Sequence, residues 1–330
     1  MPHGVGLNSE SEKNILHALE TSVIDWNHQI QEVLKSDSAA PLHAGLNPGP
    51  LVEIDFWTAK ASNLSSIHQQ LTSPKIQKIS KVLETCKSTY FPAFQTVFEE
   101  VVAALKEAND ISLYLKALRP QVEKLAAVND FSELTNIFPG LMKTILMIWK
   151  ASQHYNTPAR LTVIIQEICN DLIEAARIFL TPAELFVSEP DIASAKLGLV
   201  KQVCEIFKNT FYEYKSMTHD TIRPWNIDTK QAFGRLDETV ARVAQISDLF
   251  DIIIEFNRLE KIEIGGTKGN FLSTQVAQIF AEFTSGMSLI ARIKYDVLDL
   301  SSNQFDCDRS AFLDKITDLD RRIRYLLVKV

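Results

Sequence analysis

Between Thr157 and Leu180 the chain reads TPARLTVIIQEICNDLIEAARIFL, and this stretch restricts the fold most tightly. Leu161, Ile164, Ile165, Ile168, Leu172, Ala175 and Phe179 recur at steps of three and four, the period of an α-helix. Glu167, Asn170, Asp171 and Glu174 fall on the opposite side and read as a solvated face. Thr157 is a good N-cap residue and Pro158 suits the first helical position. Thr181-Pro182 stops the helix. An apolar stripe this wide is buried only by packing into a bundle of other helices.

The same period runs through most of the chain. Glycine is scarce, 11 in 330 residues, and alternating strand-like runs are few. Both facts predict an all-α fold. Ser9 and Glu12 form a capping-box pattern that opens a first helix to about Leu34. Pro41, Gly45, Pro48, Gly49 and Pro50 make 35–50 a loop. A second helix follows over 51–71, and Ser73-Pro74 caps a third. Pro92, Pro120 and Pro139 divide the next stretch into short helices. Long helices are expected over 191–217, 228–262 and 270–297, with Pro224-Trp225 and Gly265 to Gly269 in connections. The last helix, from about Arg309, carries Phe312, Ile316, Leu319, Ile323, Leu326 and Val330 as a heptad seam. The chain ends on that seam without a C-cap, so the expectation is that the natural protein continues or that this is a fragment. No period of 20 to 50 residues repeats.

Length allows about two domains. The expected division is 1–50 as a helix and Pro/Gly-rich loop, 51–187 as a first bundle, and 188–330 as a second, truncated bundle. The expected architecture is an elongated array of stacked helical bundles. A net charge of -7 argues against a general nucleic-acid or anionic-membrane binder. The N-terminus lacks the form of a signal peptide. No run approaches the roughly 18 to 20 apolar residues of a membrane span. The reading is a cytoplasmic or cytoskeletal protein.

No motif of catalysis or ligand binding stands out. Cys86, Cys169, Cys204 and Cys307 form no CxxC pair and read as free thiols, with Cys169 and Cys204 among apolar residues at helical spacing. GGTKGN at 265–270 has neither the spacing nor the preceding strand of a phosphate loop. Asp306, Asp308 and Ser310 resemble the start of a calcium loop, but Ala311 and Thr317 stand where Gly and Glu are needed. These acids read instead as the first turn of the last helix. The histidines His3, His17, His28, His43, His68, His154 and His219 form no metal signature. Trp26, Trp57 and Trp149 read as core anchors, and Trp225, beside a proline in a loop, as the one to examine for a partner contact. Arg321, Arg322 and Arg324 read as intrahelical partners of nearby aspartates. No catalytic, cofactor-binding or metal residue is assigned, and no cofactor is expected.

Residue order adds what periodicity does not. IWKASQHYNTPARL at 148–161, VEIDFW at 52–57, NLSSIHQQLTSPKIQKI at 63–79 and LKEANDISLYLKAL at 105–118 resemble the tail of dynein heavy chains. LEKIEIGGTKGN at 259–270 and DLDRRI at 318–323 fit the same pattern, the region called dynein heavy-chain N-terminal region 1. TSVIDWNHQIQEVL at 21–34 is similar to the axonemal branch. The resemblance implies a noncatalytic tail segment of stacked helices. It would associate with other heavy chains, bind intermediate and light chains, and anchor the motor through docking factors to the axonemal doublet in a cilium. The Walker motifs of the family's ATPase ring are absent from these residues. The alternative is an unrelated helical scaffold or tethering protein of the cytoskeleton or vesicle traffic.

Overall fold

The computed structural model describes residues 9–128, 130–219, 221, 223–261, 265–266 and 268–328. Among these, thirteen α-helices and two 3-10 turns make up the regular structure, and no strand occurs. The helices are α1 (Ser9–Lys35), α2 (Ala40–His43), α3 (Pro50–Leu71), α4 (Pro74–Thr85), α5 (Phe91–Leu115), α6 (Arg119–Ala127) and α7 (Leu134–Ala151). They continue as α8 (Pro158–Phe179), α9 (Pro182–Leu185), α10 (Pro190–Ser216), α11 (Thr229–Asn257), α12 (Gly269–Ile290) and α13 (Gln304–Val328). The 3-10 turns are Phe131–Glu133 and Arg258–Lys261. The all-α expectation is borne out.

Local chemistry explains the helix starts. The Thr157 hydroxyl accepts the Arg160 N–H at 3.4 Å, and Pro158 begins α8. Asp228 caps α11 more firmly, accepting from Lys230 N at 2.9 Å and Gln231 N at 3.4 Å. Ser73 takes the extended cap backbone before Pro74, but its hydroxyl makes no capping bond. The expected capping box at Ser9 involves a side chain outside the described residues. Lys60 donates to the carbonyls of Ser36 at 2.6 Å and Leu34 at 3.3 Å, closing the C-terminal end of α1.

Several expectations need correction. The 35–50 loop contains a turn of helix, because Pro41 falls in the first turn of α2, where its missing N–H costs nothing. Pro92 and Pro120 likewise fall in first turns, so α5 runs unbroken for 25 residues. Pro139 lies inside α7 without ending it, only five residues from the helix start. Helix α12 stops at Ile290, earlier than expected, and α13 starts at Gln304. Between them Asp296 accepts from Leu298 N at 2.9 Å and Asp299 from Ser301 N at 3.0 Å. Side chains that bond the backbone two residues on compete with the helix. The largest correction concerns α8. Glu167 and Asn170, expected on a solvated face, are buried, and of that face Glu174 is exposed.

The chain divides into two compact units, interleaved along the sequence. One takes the described residues up to Glu123, Lys143–Glu167 and Trp225–Ile227; the other takes Lys124–Met142, Ile168–Pro224 and the described residues from Asp228 onward. In the first unit α3 and α5 form the most extensive pairing, with α1 and α4 packed beside them. Val23, Ile30, Leu71, Leu83, Phe94, Val97 and Val101 form a core there, with Trp26 partly buried against it. In the second unit α10 lies along α11 and α12 along α13. Phe138 meets Phe207 at a centroid distance of 5.1 Å and Phe211 meets Phe233 at 5.1 Å, both near edge-to-face. The heptad seam of α13 is covered at Phe312, Ile316 and Leu319 and half-buried at Ile323 and Leu326. Val330 lies outside the described residues. No helix among the described residues is long and apolar enough to cross a membrane.

Phe207 has no exposed surface and sits between two other rings. Phe207→Ala is expected to destabilise the second unit by about 3–5 kcal/mol, measured as a lower urea midpoint by circular dichroism. Phe271→Ala, where the ring is 65% exposed, should change the unfolding free energy by less than about 0.5 kcal/mol.

Candidate functional site

Three segments distant in sequence meet inside the first unit. Glu53 and Trp57 stand one turn apart on α3, so the Trp57 indole N–H reaches back to Glu53 Oε1 at 3.2 Å. Tyr155, in the turn after α7, donates its hydroxyl to Glu53 Oε2 at 3.1 Å. Helix α8 brings the buried carboxyl of Glu167 close enough to shift the titration of Glu53 and Tyr155. Glu53 and Glu167 have no exposed surface and Tyr155 is 2% exposed.

Two ionised carboxylates are acceptors only, so burying Glu53 and Glu167 close together disfavours the doubly charged state. Burial pushes the pKa of Glu53 up, against the pull of Glu167, of the bonds from Tyr155 and Trp57 and of the Arg160 charge. Burial also holds the Tyr155 phenol well above its ordinary value, with the Glu53 carboxyl adding to the shift. The interior thus disfavours the charged forms of Glu53 and Tyr155, as the large cost of a buried unpaired charge requires.

A second carboxylate fixes the turn itself. Asp110 Oδ2 on α5 accepts from the Ser152 hydroxyl at 2.5 Å, from the N–H groups of Gln153 and His154 at 3.0 Å each, and meets His154 Nδ1 at 3.2 Å. Burial alone would raise its pKa. The bonds from Ser152, His154 and Gln153 outweigh that and hold it below the ordinary 3.8. Arg160 closes the arrangement. It donates to Glu107 on α5 and to the His154 carbonyl, and its guanidinium lies 5.1 Å from the centroid of the Trp57 ring.

His154 and Tyr155 are adjacent but turn to different carboxylates, so they do not address a common atom. With Glu53 and Glu167 sealed from solvent, no substrate reaches them. What the arrangement does is fix the helices and the turn to one another.

The other sequence candidates are accounted for. The glycines at 265–269 join the Arg258–Lys261 turn to α12; Gly266 takes φ +91°, and Thr267 lies outside the described residues. Asp306 meets Arg242 at 2.8 Å and Asp308 accepts the Tyr295 hydroxyl at 2.6 Å, both within α13 and not in a loop. Among the described residues no group of three or more His, Cys, Asp or Glu is placed to hold a metal. His3 lies outside them. Trp57, Trp149 and Trp225 are buried, so Trp225 presents no surface to a partner. Arg321 and Arg324 pair within α13 with Asp318 and Asp320, but Arg322 reaches across to Glu282 on α12. Cys169 and Cys204 are buried free thiols, Cys204 raised to about 12 by burial, while Cys86 and Cys307 are exposed.

The family described as dynein heavy chain, N-terminal region 1, matches residues 16–329. Among curated proteins, the dynein beta chain of the flagellar outer arm of Chlamydomonas reinhardtii is 42% identical over 98% of the chain. Dynein axonemal heavy chain 17 of Mus musculus is 42% identical over 96%, and the ciliary dynein beta chain of Tripneustes gratilla 40% identical over 96%. The chain spans 7% of the length of each of these relatives.

The two carboxylates should respond to pH with opposite sign. Glu53, raised in the folded state, contributes stability below the ordinary value of 4.5 that is lost as pH rises through its folded pKa. Glu53→Gln should therefore flatten that loss, read by thermal melts across pH. Melting temperatures of Glu53→Gln and the native chain that run parallel across pH would contradict the raised pKa. Asp110 is lowered, so its contribution is present above 3.8 and disappears as pH falls through its folded pKa. Asp110→Ala should cost about 1.5–3 kcal/mol at neutral pH, with the gap to the native chain closing in acid, read by thermal melts across pH.

Proposed function

The chain belongs to the dynein heavy-chain N-terminal region 1 family, and on that premise we propose that it is a noncatalytic tail segment serving as a scaffold in an axonemal dynein. Its role in this reading is mechanical. Packed helices transmit load, and exposed faces associate with other heavy chains, bind intermediate and light chains and anchor the assembly to the axonemal doublet through docking factors. The observation that carries it is the match to flagellar outer-arm and axonemal heavy chains across 96% or more of the chain.

The buried knot supports the same reading. A segment that bears load needs its helices fixed to one another, and the polar groups of highest chemical interest are spent on that. ATP hydrolysis belongs, in this proposal, to the remainder of the heavy chain. The family match removes the ground for an unrelated helical scaffold.

Crosslinking mass spectrometry of the intact motor assembly tests the proposal. Lysines on exposed helix faces, such as Lys13 and Lys75, should join other heavy chains or intermediate and light chains. Crosslinks confined to this chain would contradict it. A pull-down with dynein intermediate chains should recover the segment, which an unrelated rod would not.

A further inference from the structure

The second unit carries a groove of about 360 Å³, none of whose lining residues belongs to the cluster around Glu53. Its floor is apolar: Leu125, Leu134 and the stacked rings of Phe131 and Phe179, with centroids 5.0 Å apart. Ile178 stands on its rim, 69% exposed. Asp171 lies in its wall, half-buried, and makes no hydrogen bond or ion pair among the described residues. The other charged groups facing the groove are already engaged. Glu174 pairs with Arg177 at 3.4 Å. Glu184 pairs with Lys196 at 3.3 Å, and the Lys196 ammonium also lies 5.4 Å from the centroid of the Phe179 ring.

We propose that this groove docks an amphipathic helix of a partner chain, which lays apolar side chains on Phe179 and Ile178 and sets a lysine or arginine against Asp171. The inference rests on the tail-scaffold reading and names one of its docking faces. Charge identifies the occupant. A carboxylate partly withdrawn from water, beside the Glu174 carboxylate and lacking a cation of its own, is completed by a basic side chain. Burial and Glu174 push its pKa to about 6, which measures how poorly the free groove compensates the charge. The apolar floor and exposed Ile178 suit a helix laid into a groove. A second copy of this chain, with its net charge of -7, would bring like charge to an acidic wall.

The test places a photo-crosslinking amino acid at Ile178 of the heavy chain in its native assembly, with a second probe at Leu113, 66% exposed on α5. The Ile178 probe should capture one segment of an associated chain, with apolar residues at steps of three and four and at least one lysine or arginine. The yield should fall about tenfold in Asp171→Asn, and likewise when the pH drops from above 7 to about 5, as Asp171 is neutralised. A thermal melt confirms that Asp171→Asn is folded, and the pH series tests the charge in the unmutated chain. Capture of a second copy, of an acidic segment, or a yield indifferent to both Asp171→Asn and pH overturns the proposal. Capture at Leu113 but not at Ile178 overturns the groove alone and leaves the tail reading standing. Capture at neither overturns the groove and counts against that reading as well.

Discussion

Glu53 is the residue around which the first unit is organised. It lies with no exposed surface on a helix that supplies core residues every three or four positions, where an aliphatic side chain would pack without electrostatic cost. It is tolerated because each oxygen has a donor, Trp57 on one and Tyr155 on the other, and because burial raises its pKa and so disfavours the charged form. Removing one member of such a cluster leaves a buried polar group uncompensated, which is costlier than never having buried it. The position of α3, the turn after α7 and the first half of α8 therefore depend on one another.

That dependence gives the family motifs a physical meaning. VEIDFW supplies Glu53 and Trp57, LKEANDISLYLKAL supplies Glu107 and Asp110, and IWKASQHYNTPARL supplies Ser152, His154, Tyr155 and Arg160. Three stretches that resemble dynein heavy chains in sequence form one hydrogen-bonded joint in space. The residues that look most chemical, a histidine beside a tyrosine among carboxylates, are occupied in holding helices. Asp110 acts as a cap for a turn that no helix end supplies with acceptors of its own.

The helices were legible because period and capping chemistry are local. Thr157-Pro158 and Asp228 mark helix starts by their side chains, and the α8 stripe from Leu161 to Leu172 is buried as its spacing requires. What was not legible depended on partners far along the chain. Glu167 and Asn170 read as solvated because nothing near them in sequence shows that Glu53 and Arg235 will cover them. Pro139 read as a boundary because its position relative to the α7 start was hidden. The turns at Asp296 and Asp299 replaced a predicted stretch of helix, since side-chain capture of the backbone outweighs a weak propensity. For the joint itself, the i,i+4 spacing of Glu53 and Trp57 was a signal, but one without a visible third partner.

The central claim is that burial among Trp57, Tyr155 and Glu167 makes the Glu53 carboxyl keep its proton above the ordinary value of 4.5 in the folded chain. Infrared spectroscopy reads this directly, because a protonated carboxyl has a carbonyl stretch distinct from a carboxylate. The account predicts that, as pH rises past 4.5, more of this band persists in the folded native chain than in Glu53→Gln or in the unfolded chain. Bands of equal size in the folded native chain and in Glu53→Gln throughout that titration would contradict it.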